Sequence, residues 1–447
     1  MKTYPVSRRV VVVAIVLCGC DAPLAGQEAL TLAERFEPGH LSRVEVVVRV
    51  SGRLSLPDAK KAATPKLIAL SGESRLTYDE RLLPPDEPGT LKAIRAYREV
   101  EFVRTLGDIR QDAGIRPSVR RMVVIQSGGR RAPFSPDGPL TWGEIDVVRT
   151  DVFNPSMVPG LLPGGAVGPG QGWKATSAAV AELTDLEKVE AGEVVLELVG
   201  VTEVRQRRVA RLRLSGDVRG VNQDGPTRHR LDGTAYFDLA GNFLSYLSLK
   251  GTRELLDGSG QTVGRVEGLF TMTRSRLESP PADLSDASLR GLDLKPGPEN
   301  TLLLYDDPRL GIRLLYPRGW RVGAVQGKQV TLDHARGAGL LITVEPAARV
   351  PSIDEYAREV GEFLHKEKVR LTGFDKAERV RADPNRLERF GLEASFGTER
   401  VRLEYAVLKQ PDGGATVAAR IPLEEVAVLK PEVERIIRSL AVTKKIE

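Results

Sequence analysis

The sequence predicts an α+β chain that is mainly antiparallel β, with a curved-sheet amino-terminal domain and a smaller α+β sandwich at the carboxyl end. Three observations predict it. Residues from Arg43 onward alternate between apolar and polar, similar runs follow through residue 272 with turn residues between them, and beyond a proline-rich stretch short strands mix with helices. A period of two marks a strand wet on one face, because successive side chains leave a strand on opposite sides. At 447 residues the chain exceeds what one core usually organises, so more than one domain is expected.

The chain opens on a leader. Lys2, Arg8 and Arg9 precede an apolar run from Val10 to Leu17, then Cys18-Gly19-Cys20. This makes a signal peptide of lipoprotein type over residues 1–19, too short to span a bilayer. Leu17-Cys18-Gly19-Cys20 resembles a bacterial lipobox. The resemblance implies lipidation of Cys20 and a membrane anchor on the periplasmic or cell-surface face; a conventional signal cut after Ala22, giving a soluble secreted chain, is the alternative. Both cysteines of the chain lie here, so the exported part has no disulfide, thiolate metal site or cysteine nucleophile.

A mainly antiparallel β domain is expected over 28–277. Val44, Val46, Val48, Val50, Leu54 and Leu56 form one face of its first strand, against Arg43, Glu45, Arg49, Ser51, Arg53 and Ser55. Further strands are read at 194–201, 209–214, 234–239, 243–249 and 263–272, and residues 91–104 also lean to strand. The separators are Asp217, the stretch 222–226, Ala240-Gly241-Asn242 and Asp257-Gly258-Ser259-Gly260, so these runs form an antiparallel meander. Residues 159–172 read as an irregular surface loop; the spacing of Gly168, Gly170 and Gly172 and the absence of Gly-Lys-Ser/Thr exclude a phosphate loop.

Residues 278–300, with Ser279-Pro280-Pro281 and Lys295-Pro296-Gly297-Pro298, read as a flexible linker. The second domain, 301–447, begins with strands at 312–316, 330–332 and 340–345. Ser352 and Glu355 have the spacing of a capping box, opening a helix whose apolar stripe is Ile353, Tyr356, Val360, Phe363 and Leu364. Two or three strands follow, one with Val401, Leu403, Tyr405 and Val407 on a single face, and a last helix is expected to begin at Pro431.

Tyr305-Asp306, the run from Gly311 to Trp320, Ser352 to Tyr356 and the terminal Glu434 to Leu440 resemble the PsbP-like family over residues 301–447. That resemblance implies a PsbP-like α+β sandwich and docking to another protein, with no common catalytic residue to carry over. Leu161-Leu162-Pro163 leading into Gly172-Trp173, with the strands around Gly233 to Asp238, is similar to an uncharacterised group of exported bacterial proteins. The curved-sheet pattern is similar in architecture to lipoprotein carriers of the LolA type.

Sites are sparse. His40, His229, His334 and His365 occur in no zinc-binding spacing, no Gly-x-Ser-x-Gly elbow is present, and Asp306-Asp307 before Pro308 reads as a turn rather than an acid pair. No catalytic residue, metal site or cofactor is assigned. Discounting the leader's three cations lowers the net charge from +5 to +2, which excludes a nucleic-acid partner as an explanation of the high pI. Arg205, Arg207, Arg211 and Arg213 share one parity and are the candidates for an anionic contact, opposite a solvated sheet face as the plainer reading. Trp142 and Trp173 flank the proline-rich loop and are the candidates for a ligand or partner contact.

The expectation is an exported, lipid-anchored cell-envelope protein with a non-enzymatic binding or assembly role and a protein partner. One alternative is a carrier of an apolar ligand, which needs a cavity lined by residues such as Val46, Val48, Leu212, Leu247 and Phe270. The other is an enzyme of unrecognised class, which needs converging polar groups in a cleft.

Overall fold

The computed structural model describes residues 29–35, 37–56, 66–127, 130–131, 133–149, 158–222, 225–381 and 385–447. The leader and Cys20 lie outside them. Within them the chain is mostly open antiparallel sheet.

The larger sheet has twelve strands among the described residues. In spatial order its main path runs Gly172–Lys174, Lys188–Val204, Arg207–Asn222, Gly225–Asp238, Phe243–Leu256, Thr262–Arg276, Leu41–Leu56, Lys66–Leu83, Leu91–Leu106, Arg121–Ser127 and Arg130–Arg131, with Ile109–Ala113 beside Leu91–Leu106. The run from Lys188 to Arg276 is the expected meander. Its last strand returns to pair with the first long one, Met272 opposite Val46 and Phe270 opposite Val48. Residues 91–104 do form a strand.

Three local readings change. Asp217 is no turn: it lies inside Arg207–Asn222, opposite Glu193 and Arg230, and its carboxylate binds the Arg228 guanidinium at 2.5 Å. An exposed acid is tolerated mid-strand when a cross-strand arginine meets it. The hairpin turn in this region is Arg205-Gln206, both at positive φ (49° and 64°), a conformation side chains usually avoid. The stretch read as a loop at 159–172 contains the short strand Ala166–Val167, which pairs with Leu30–Thr31, and ends on the first residue of the strand Gly172–Lys174.

The second large sheet has seven strands, ordered Trp320–Gln326, Gln329–His334, Gly339–Glu345, Gly413–Pro422, Glu399–Gln410, Arg386–Phe396 and Arg370–Arg381. One face is covered by the helix Ile353–Lys366, whose Ile353, Val360 and Leu364 pack with Phe390, Leu392, Val401 and Leu403. The Ser352 hydroxyl accepts the Glu355 N–H and the Glu355 carboxylate accepts the Ser352 N–H at 2.7 Å, completing the expected capping box. The other face packs the helix Val426–Ser439. That helix starts five residues before Pro431, which sits inside it, since Leu423–Glu425 forms a tight turn that supplies the start.

A third, four-stranded sheet has the order Ala441–Val442, Ile312–Tyr316, Leu303–Asp307 and Leu140–Thr141. Its last strand comes from the amino-terminal half, and Leu140 pairs with Leu303 in parallel. One hydrophobic cluster runs from Val46, Leu212 and Phe270 through Leu140 and Leu303 to Trp320 and Ile436. The segment read as a flexible linker is held against the large sheet. Leu284 is fully buried among Ile94, Ala96, Val123 and Phe134, Arg98 binds Asp283 at 2.7 Å, and Arg81 donates to the Leu284 carbonyl at 2.8 Å. Apolar Leu284 and the acids beside it give this proline-rich stretch a docking strip that its composition hides.

Candidate functional site: an aromatic pocket where the two halves meet

The helix Trp142–Arg149 begins immediately after the crossing strand. The Thr141 hydroxyl accepts the Glu144 N–H at 3.2 Å and the Glu144 carboxylate accepts the Thr141 N–H at 2.8 Å. Glu144 also takes the backbone N–H of Arg116 at 3.0 Å and its guanidinium at 2.8 and 2.9 Å. Burial pushes the Glu144 carboxyl upward, but the Arg116 guanidinium and these backbone donors outweigh it and hold the group below the usual carboxylate range. This buried carboxylate fixes where the helix starts, and so places Trp142 at the junction.

There Trp142 lines a pocket of about 370 Å³ with Thr141, Gly143, Leu304, Tyr305, Asp306, Tyr316, Trp320, Arg321 and Val322. The volume falls within the range of small-ligand sites, and the walls are mostly apolar and aromatic, as such sites require. The Trp320 ring is fully buried and its Nε1–H donates to Glu432 at 2.8 Å, so its orientation is fixed by the last helix. Burial pushes the Tyr316 phenol up to about 12. Burial also raises Tyr305, helped by Asp307, to which its hydroxyl donates at 3.2 Å. Both phenols therefore stay neutral. Arg321 is the exposed cation of the lining, with its guanidinium carbon 6.0 Å from the Trp142 ring centre. The pocket presents aromatic stacking surface with one cation, Arg321, and one carboxylate, Asp306, in its walls, each with an interaction of its own within the chain, which suits an apolar or aromatic group. Asp306 is held by Arg313 at 2.7 Å, and Asp307 accepts the N–H groups of Arg309 and Leu310, so the two close the strand Leu303–Asp307 and Asp307 caps the turn that begins at Pro308.

Trp173 is placed elsewhere. It is half-buried against the main core, and its Nε1–H donates to the Leu161 carbonyl at 2.9 Å, which pins the proline-rich loop. The arginine quartet is not one face: Arg205 is in the hairpin turn, whereas Arg207, Arg211 and Arg213 alternate along the exposed side of one strand. Arg207 lies 3.6 Å from Asp238 and Arg213 3.9 Å from Glu197. The five residues named for a carrier cavity are each no more than 3% exposed and share one cluster with Leu161, Val180 and Leu183 of the segments crossing the sheet.

A larger open groove of about 1000 Å³ crosses the big sheet between Arg49, Glu73, Arg75, Arg110, Lys250 and Glu267. Several of its charges meet opposite charges, Arg49 with Glu73 at 3.4 Å and Arg110 with Asp112 at 3.2 Å, as on a solvated sheet face. Sequence reasoning named Trp142 but missed its setting. The signal was present in Thr141-Trp142-Gly143-Glu144, which has capping-box spacing.

No protein-family model matches the chain, and no curated protein matches it. Among solved structures, cyanobacterial PsbP (CyanoP) from Synechocystis is similar at 17% identity and a TM-score of 0.27, over 32% of this chain and 92% of that one. The Saccharomyces cerevisiae Ran-binding protein Mog1p is similar at 11% identity and 0.25, over 32% and 96%. MucB, solved in complex with MucA(peri), is similar at 12% identity and 0.19, over 93% and 97%. At such scores the fold rests on the strand order itself.

Proposed function

We propose that this chain is an exported, lipid-anchored cell-envelope protein with a non-enzymatic binding role, and that the junction pocket receives an apolar or aromatic side chain from a protein partner. The observation that carries the reading is the meeting of Trp142 from one half with Trp320, Tyr316 and Arg321 from the other in a single pocket. A site shared by two sheets couples recognition to how the halves are held together. A carrier reading has less support, because the side chains that would line its cavity pack in one cluster with the chain's own Leu161, Val180 and Leu183.

The test is a photo-crosslinking residue at position 322, which lines the pocket without supplying its charge, in cells. The expected product is one discrete protein-sized adduct, lost when Trp142→Ala is added. The same adduct from a crosslinker at Arg211, or lipid-sized adducts alone, would reject this site.

A further inference from the structure

The end of the seven-stranded sheet at which the helix Ile353–Lys366 runs out collects large apolar side chains on its surface. Phe363 in that helix is 60% exposed, Leu371 and Phe374 on the edge strand Arg370–Arg381 are 46% and 59% exposed, and Phe396 on the next strand is 40% exposed. Leu371 pairs with Ala394 and Phe374 with Leu392, whose side chains lie under the helix, so both belong to the helix-covered face and project beyond its cover. Such residues scattered singly need no explanation, but gathered at one end they do.

Cations surround them. Lys366, Lys368, Arg370, Lys376 and Arg400 are exposed and have no carboxylate partner among the described residues. Of the neighbouring acids, Asp375 pairs with Arg402, Glu378 with Arg389 and Glu399 with Arg420, whereas Glu359, Glu367 and Glu393 have no ion-pair partner among the described residues, so the cations are in local excess rather than alone. Lys368 stands at a φ of +56°, the helix-terminating position where glycine is the cheaper residue.

The edge strand is badly formed for receiving another strand. Its pairing slips at three places, between Leu371 and Gly373, Asp375 and Glu378, and Arg379 and Arg381. Bulges and edge lysines are the devices that prevent strand addition. Apolar rings within a collar of unpaired cations instead match the layered chemistry of an anionic bilayer, with acyl chains below and phosphates above.

We infer that this end of the second sheet rests on an anionic membrane surface, with Phe374, Phe396 and Leu371 entering the interface while Lys366, Lys368 and Arg370 meet lipid phosphates. The contact is separate from the junction pocket and does not require a lipid on Cys20.

The test uses the full chain with Cys18→Ala and Cys20→Ala, which removes its native thiols and the lipid-attachment site. An environment-sensitive dye is attached to Phe374→Cys, or to Val199→Cys on the other sheet as control. Vesicles contain phosphatidylcholine alone or with about a third phosphatidylglycerol. The dye at 374 is expected to shift to the blue only with the anionic vesicles, and the dye at 199 not at all. Combined Lys366→Glu, Lys368→Glu and Arg370→Glu, all at exposed positions that leave the core intact, should weaken partitioning roughly a hundredfold, since each cation contributes about fivefold near such a surface. The inference is overturned by no shift at 374, by equal shifts at both positions, or by a shift indifferent to the charge reversals. A shift at 374 produced only by added envelope proteins would also overturn it, assigning the surface to a protein.

Discussion

Leu140 and Leu303 pair in parallel across the boundary between the two halves of the chain, and neither is more than 1% exposed. A strand shared in this way, inside one continuous hydrophobic cluster, makes the halves a single cooperative unit. Calorimetry should show one unfolding transition. Leu140→Ala should cost about 2–5 kcal/mol and split the transition in two. Two transitions in the unaltered protein would show that the halves unfold independently.

Glu144 gives an acid-sensitive feature at the same place. Its folded-state pKa is depressed, so its contribution is fully present above the unfolded carboxylate value and disappears as pH falls through the folded one. Glu144→Gln should lose about 1–3 kcal/mol near neutral pH, by leaving the Arg116 donors poorly matched, and should flatten the acid limb of the stability profile. Denaturant titrations at neutral and acid pH measure both effects.

His229 works over a different range. It is 1% exposed, and burial first, then the charge of Arg253, pull its pKa from 6.5 to about 3. The folded chain therefore binds fewer protons than the unfolded chain between those values. Stability should fall as pH drops from 6.5 toward 3, by up to about 1.4 kcal/mol per pH unit. In His229→Gln this slope should be absent, and an unchanged slope would show that His229 is not its source.

Arg95 and Glu80 form an ion pair at 2.8 Å with both side chains 2% exposed, and the Arg95 guanidinium carbon lies 4.7 Å from the Tyr78 ring centre. Removing one charge strands the other, so Arg95→Met should cost about 3–5 kcal/mol. Adding Glu80→Leu should restore much of that loss, since a buried pair is weak evidence for net stability. Thermal melts of the two single variants and the double variant form the cycle.

The alternating valines from Val44 to Val50 and the Ser352–Glu355 capping box were legible because each is a local pattern with one physical solution. Arg205-Gln206 was not, because two residues at positive φ without glycine or asparagine carry no turn signal. Asp217 looked like a break because its partner Arg228 lies on another strand. The junction pocket was half legible. Trp142 stood out as one of few aromatic residues, but its company of Tyr316, Trp320 and Arg321 depends on a parallel pairing over about 160 positions, which no periodicity records.

The proposed function puts a protein partner in the pocket shared by Trp142 and Trp320. Native mass spectrometry of the protein, released gently from its own envelope, tests it most directly when set beside Trp142→Ala and Arg321→Glu. The expected result is a protein-sized non-covalent adduct on the unaltered chain that both substitutions remove while the fold persists. An adduct that survives both substitutions, or lipid-sized mass alone, would contradict it.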